Sequence, residues 1–161
     1  MVIDRTKNMF GESPTGSAEQ GKIINDFHVQ RILKLIDTSG GQILYGGKAN
    51  PSVKHIQPTI ILNPGKDSAL MSEEIFGPVL PILVYKNLEE VTTLINEKPK
   101  PLAVYFYGQT NHADLGKIQT QTSSGAICVN ECFMQMVSHY QGFGGVGESG
   151  YGRYGGYEGF K

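Results

Sequence analysis

Two adjacent carboxylates and an aromatic stand together in Ser72-Glu73-Glu74-Ile75-Phe76-Gly77-Pro78-Val79-Leu80-Pro81. Gly77 permits backbone angles that other residues avoid. Pro78 fixes its own φ and biases the residue before it away from helix. A helix over Ser68 to Glu74, carrying Glu73 and Glu74, is therefore expected to stop here. A buried strand, Val79 to Tyr85, should follow. Glu74 and Phe76 then lie on an abrupt helix-to-strand corner, and corners on a rigid scaffold are places where binding groups are presented. The alternative at this point is a solvated helix end with Phe76 plugging the core.

His28 and Arg31 are three apart on an expected helix and so share a face. That face suits ribose hydroxyls or a phosphate, since Arg offers a planar fork of donors. It equally suits an ordinary surface pair. Gly142-Phe143-Gly144-Gly145-Val146-Gly147 has the form GxGxxG, but a dinucleotide fingerprint needs a strand before it and a helix opening from it. Glu148-Ser149-Gly150-Tyr151-Gly152 cannot open a stable helix, so the segment reads as a loop packed closely on another element. Phe143, held between glycines, is either the wall of an apolar pocket or a core anchor. Cys128 lies in an apolar strand and reads as an inert thiol. Cys132 and His139 do not complete a zinc set, and neither cysteine has the positive or helix-N-terminal setting that a thiolate needs. Asn130 is a turn or pocket residue. No Ser/His/Asp set or phosphate loop is apparent, and with no zinc set at Cys132 and His139 no metal site is expected.

The elements that must position these residues alternate. Met1 to Phe10 reads as the end of a helix. Gly11 to Gly16 is a turn-rich connector, and Ser17 can cap a second helix running to about Asp37. Val29, Ile32, Leu33 and Ile36 form its apolar stripe, extended by Ile24 and Phe27. Strands are expected at Gln42 to Tyr45, Pro58 to Leu62, Leu102 to Tyr107 and Ala126 to Val129. Helices are expected at Leu88 to Asn96 and His112 to Gln119. After Val129 the chain is glycine-rich and irregular. Apolar strands alternating with short helices argue for an α/β fold, a mostly parallel sheet with flanking helices.

The chain has 161 residues, enough for one domain with a core that buries roughly 70% of the surface exposed on unfolding. A net charge of -1 sets up no field for nucleic acid or an anionic membrane. No apolar run approaches a membrane span, and no secretory or transit signal is seen. Two cysteines do not make a disulfide framework, which fits a reducing compartment, cytoplasmic or mitochondrial.

Taken together the segments resemble class 3 aldehyde dehydrogenases, in the C-terminal portion of the catalytic domain. The resemblance rests on Gly21-Lys22-Ile23-Ile24-Asn25-Asp26 with His28 and Arg31, on Tyr45-Gly46-Gly47 and on Pro58-Thr59-Ile60. It continues through Glu73-Glu74-Ile75-Phe76-Gly77-Pro78-Val79-Leu80-Pro81 and Lys100-Pro101-Leu102-Ala103. Thr122-Ser123-Ser124-Gly125 with Asn130, and Phe143-Gly144-Gly145-Val146-Gly147 with Ser149-Gly150, complete it. It covers nearly the whole chain in the family's order. One local departure is Tyr154-Gly155-Gly156, where the family usually reads Tyr-His-Gly.

The resemblance implies an incomplete catalytic domain over residues 1–161 and NAD or NADP as cofactor. It implies that Glu74 accepts hydrogen bonds from the nicotinamide-ribose hydroxyls and that Phe76 lies beside that ribose. His28 and Arg31 would reach the adenosine ribose and, with NADP, its 2′-phosphate. Phe143 would line the substrate pocket. In the family a cysteine thiolate attacks the aldehyde, donors stabilise the oxyanion, hydride passes to nicotinamide, and a glutamate activates water to release the acid. That cysteine and glutamate are expected upstream of the segment matching Met1, so the chain should be inactive alone. Its expected partner is the missing half of the enzyme, acting on a small aldehyde. The other reading is a non-catalytic structural or interaction subunit of a larger assembly.

Overall fold

A computed structural model of the chain describes residues 1–11 and 20–160. The expected cap at Ser17 lies outside the described residues. The chain divides into two compact units, Met1–Val84 and Tyr85–Lys161.

In the first unit, helix α1 spans Val2–Phe10 and α2 spans Asp26–Asp37. The second helix starts later than the expected one. Gln20 to Asn25 is non-helical, and the Asn25 side chain accepts a hydrogen bond from the His28 N–H at 2.9 Å. That bond satisfies one of the N–H groups a helix start leaves without a partner. Ile24 and Phe27 are exposed rather than part of the buried stripe, while Leu35 joins Val29, Ile32 and Ile36 inside. Replacing Asn25 by Ala is expected to cost about 1 kcal/mol. A lower denaturation midpoint and faster exchange of the His28 amide would report it.

Strands β1 (Gln42–Tyr45) and β5 (Val79–Ile82) flank β4 (Thr59–Leu62) in one sheet. The β4–β5 pairing is parallel, with Thr59 opposite Val79 and Leu62 opposite Ile82. The β1–β4 pairing is antiparallel, a mixed arrangement that strand composition does not announce. Thr59, Ile60 and Ile61 of the central strand are buried. Pro81 cannot donate to a ladder and so suits the edge strand it occupies. A two-residue ladder pairs β2 (Ala49–Asn50) with β3 (His55–Ile56). The core of this unit gathers Val29, Ile32, Leu35 and Ile36 from α2 with Ile56, Ile61 and Leu70.

Two bounds differ from expectation at the corner. Helix α3 spans only Ala69–Ser72, so Glu73 and Glu74 are not helical; Glu73 is extended, at φ -121° and ψ 159°. The strand after it ends at Ile82, and Val84 and Tyr85 are exposed. The strand is also half-buried rather than buried, as an edge position dictates.

In the second unit, α4 (Leu88–Glu97), β6 (Ala103–Phe106), α5 (Ala113–Gln121) and β7 (Ala126–Val129) follow in order. The two strands pair in parallel, Ala103 opposite Ala126 and Phe106 opposite Val129, which makes β6–α5–β7 the expected βαβ unit. Asn87 and His112 cap the helices by accepting from the N–H groups of Glu90 and Asp114. Thr92 of α4 and Leu115 and Ile118 of α5 are buried. The glycine-rich end is more ordered than expected. It carries α6 (Met134–Val137), a single 3₁₀ turn at Gly147–Ser149, α7 (Gly156–Phe160) and a bridge between Phe143 and Tyr154.

Candidate cofactor-binding corner

The corner is held from α2. The Arg31 guanidinium donates through Nη1 to Glu73 Oε2 at 3.0 Å and to the Glu74 carbonyl at 3.2 Å, and through Nη2 to the Ile75 carbonyl. Its Nε donates to His28 Nδ1 at 3.2 Å. The planar fork thus grips two successive carbonyls of non-helical backbone. A helix through Glu74 would turn those carbonyls along its own axis, so this grip explains the early end of α3. The ion pair is half-open to solvent and by itself contributes at most about 1 kcal/mol. Its geometry matters more than its charge.

Beyond Ile75 the chain turns through Phe76, at φ +47°. A left-handed backbone is uncommon for a bulky residue and is held only where the surroundings over-determine it. The strained residue is therefore Phe76 and not the glycine after it. Gly77 is needed for a different reason: a Cβ there would lie 2.6 Å from Ile32 Cδ1. Ile75 points inward and packs against the core. Phe76 points outward, 76% exposed, so it does not plug the core. Glu74 is exposed beside it, and among the described residues nothing hydrogen-bonds its carboxylate. The corner presents an acceptor-only group and an aromatic face side by side.

The structure brings His28, Arg31, Glu73, Glu74 and Phe76 together. The two carbonyls are the participants that sequence reasoning missed, because a backbone acceptor leaves no trace in residue type; Glu73 has a structural part, as the ion-pair partner of Arg31. The cofactor expected for the family fits these residues on one physical count: an unpaired carboxylate matches a diol that can donate twice.

Phe143 lies in the other unit. It is half-buried, exchanges two backbone hydrogen bonds with Tyr154, and meets that ring edge-on at 5.5 Å. Its neighbour Gly142 lines an open cleft of about 440 Å³ with Cys128, Gln135, Ser138 and Arg153. The GxGxxG string is a close-packed loop, as expected. A Cβ on Gly144 would fall 1.9 Å from the Gly152 carbonyl oxygen, and one on Gly125 2.2 Å from that of Gly144. Asn130 is a turn residue at φ +58° whose amide both accepts from the Gly108 N–H and donates to the Gly108 carbonyl.

Both cysteines are free thiols. Cys128 is half-buried in β7 and donates to Gln135 Oε1 at 3.2 Å. Cys132 is exposed near acidic groups: the Tyr107 phenol is pushed up first by desolvation and then by Cys132 and Glu131. Among the described residues no group of three or more His, Cys, Asp or Glu side chains could hold a metal, and no helix is long and apolar enough to cross a membrane.

Known proteins share both the sequence and the fold of this chain. The Arabidopsis thaliana aldehyde dehydrogenase family 3 member F1 is 43% identical over 155 residues, covering 94% of this chain and 32% of that protein. The dimeric NADP-preferring aldehyde dehydrogenase of Canis lupus familiaris is 38% identical over 146 residues, covering 91% of this chain and 32% of its own length. Among solved structures, the substrate-bound state of Staphylococcus aureus AldH superposes with a TM-score of 0.86 at 34% identity, covering 98% of this chain and 34% of that one. The chain therefore spans about a third of the length of these relatives. The model of the aldehyde dehydrogenase family matches residues 1–161, and with the fold and the relatives in agreement, the chain belongs to the aldehyde dehydrogenase family.

Proposed function

We propose that the chain is the part of an NAD(P)-dependent aldehyde dehydrogenase that positions the cofactor ribose and walls the substrate pocket, in an enzyme oxidising aldehydes to carboxylic acids. The observation that carries this reading is the presentation of an unpaired Glu74 carboxylate beside an exposed, left-handed Phe76. Glu74 accepts from the two hydroxyls of the nicotinamide ribose, and Phe76 packs its ring along the same sugar. His28 and Arg31, expected at the adenosine end, stand beside the corner on α2. Phe143 contributes to the substrate wall from the second unit. Both units act as portions of one catalytic domain, with the nucleophilic cysteine and the general base supplied from outside these residues. A reducing compartment, cytoplasmic or mitochondrial, accords with two free thiols.

When bound, the cofactor supplies the hydride acceptor. The chain's own residues set where that acceptor stands. A charged acceptor holding two hydroxyls fixes the sugar against rotation about its own bonds, and alignment of reacting atoms is worth much of a barrier. Glu74→Gln keeps the side chain's volume and removes its charge. In the complete enzyme carrying this segment, hydride transfer is expected to slow about tenfold, the equivalent of one charge-assisted hydrogen bond weakened by roughly 1.4 kcal/mol. Single-turnover NAD(P)H formation measures it, and unchanged kinetics would refute the assignment.

A further inference from the structure

We infer that Arg31 is a positioning residue for the cofactor corner, and that it sets the left-handed backbone of Phe76 rather than contacting cofactor phosphate. The inference rests on the cofactor reading of Glu74 and Phe76. It starts from the destinations of the guanidinium. Arginine has five N–H donors in a rigid fork. In this structure Nε is directed to His28, Nη1 to Glu73 and the Glu74 carbonyl, and Nη2 to the Ile75 carbonyl. The side chain is 18% exposed. A phosphate requires a fork that faces outward with two donors to spare, and this one faces its own backbone.

The consequence lies in the next residue. Holding the carbonyls of Glu74 and Ile75 from one rigid plane fixes the two peptide planes that precede Phe76. On the other side, Gly77 lies against Ile32, which is fully buried. Both peptides flanking Phe76 are thus anchored to α2, and φ +47° is the turn that joins them. The same anchoring directs the Phe76 ring and the Glu74 carboxylate to solvent. Released from Arg31, the segment has no reason to keep a strained residue, and Glu74 loses its fixed direction.

Two readings of Arg31 make opposite predictions about cofactor choice. A residue that binds the 2′-phosphate affects NADP and leaves NAD use nearly unchanged. A residue that sets the corner affects both alike, because the nicotinamide ribose is common to both. The test is Arg31→Met, measured in two ways. Backbone scalar couplings of Phe76 in the 161-residue chain report its φ. Aldehyde-dependent NADH and NADPH formation in the complete enzyme report function. The expected result is loss of the positive φ and a fall in kcat of about tenfold with either cofactor, matching Glu74→Gln in size as one lost polar interaction. Unchanged φ, or a loss confined to NADP, overturns the inference. Should Glu74→Gln leave the rates unchanged, the cofactor reading fails, and the inference fails with it; should only Arg31→Met do so, the cofactor reading stands and Arg31 is no positioning residue. If Arg31→Met does not fold, Arg31→Lys carries the same comparison. Its ammonium keeps the charge but cannot span two carbonyls and a carboxylate as a planar fork does, so it too is expected to lose rate with NAD and NADP equally.

Discussion

Gly144→Ala is expected to disrupt the glycine-rich end of the second unit. The added Cβ would stand 1.9 Å from the Gly152 carbonyl oxygen, 2.9 Å from its carbon and 3.1 Å from Arg153 Cα. All three are backbone atoms, so no side-chain rotation relieves the contact. Two strand-like segments must separate by more than an ångström, and they are the segments joined by the Phe143–Tyr154 bridge. The layer beneath is equally tight, since the Gly144 carbonyl already fills the place of a Gly125 side chain. Overpacking against rigid surroundings costs about 3 kcal/mol, most of a small unit's stability. Hydrogen exchange offers a local reading. The Phe143 and Tyr154 amides each donate to the other's carbonyl, at 2.6 Å and 2.9 Å, and both should lose protection in the variant while amides of β4 keep theirs. Retained protection at Phe143 and Tyr154 would show that the loop yields without opening.

Periodicity and breakers place β4, β6, β7, α4 and α5 within a residue or two, because their apolar faces and turn residues are local signals. The GxGxxG string is legible as a loop on the same grounds: Gly147–Ser149 makes only one 3₁₀ turn, too little helix to receive a phosphate. The corner is legible as a place but not as a geometry. Local rules assign unusual backbone freedom to Gly77, yet the positive φ belongs to Phe76. The cause lies 42 to 44 positions away from the carbonyls and carboxylate it holds, in Arg31, and no window of neighbouring residues contains it. The start of α2 is hidden for a different reason. Ser17 has the residue type of a cap, yet the Asn25 side chain makes the capping bond, and a helix reaching back to Ser17 would need Ile24 and Phe27 to find a core. Both are exposed, a tertiary fact.

Ile32→Ala should produce the largest loss in the first unit and should couple that core to the corner. Ile32 has no exposed surface and packs with Val29, Leu35, Ile36, Ile56, Ile61 and Leu70. Truncation removes buried carbon and leaves a cavity that rigid neighbours only partly fill, a cost of about 3 kcal/mol. Chemical denaturation should register this as a lower midpoint with an unchanged slope. The position of the lost atoms adds a second, sharper expectation. Ile32 Cδ1, Cγ1 and Cγ2 are the atoms a Cβ on Gly77 would meet, at 2.6, 3.2 and 3.4 Å. Gly77→Ala alone therefore overpacks the junction and is expected to cost about 2 kcal/mol. In the Ile32→Ala background the same methyl enters vacated space. The double variant should be more stable than the sum of the singles predicts, by about 1 kcal/mol or more, as contacting residues allow. Strict additivity would mean that Gly77 does not lean on Ile32, and that the corner is held by Arg31 alone. Coupling of the expected sign would mean that Phe76 is pinned from both sides, by hydrogen bonds before it and by steric contact after it. It would also explain why a glycine with ordinary backbone angles follows the residue that carries the strain.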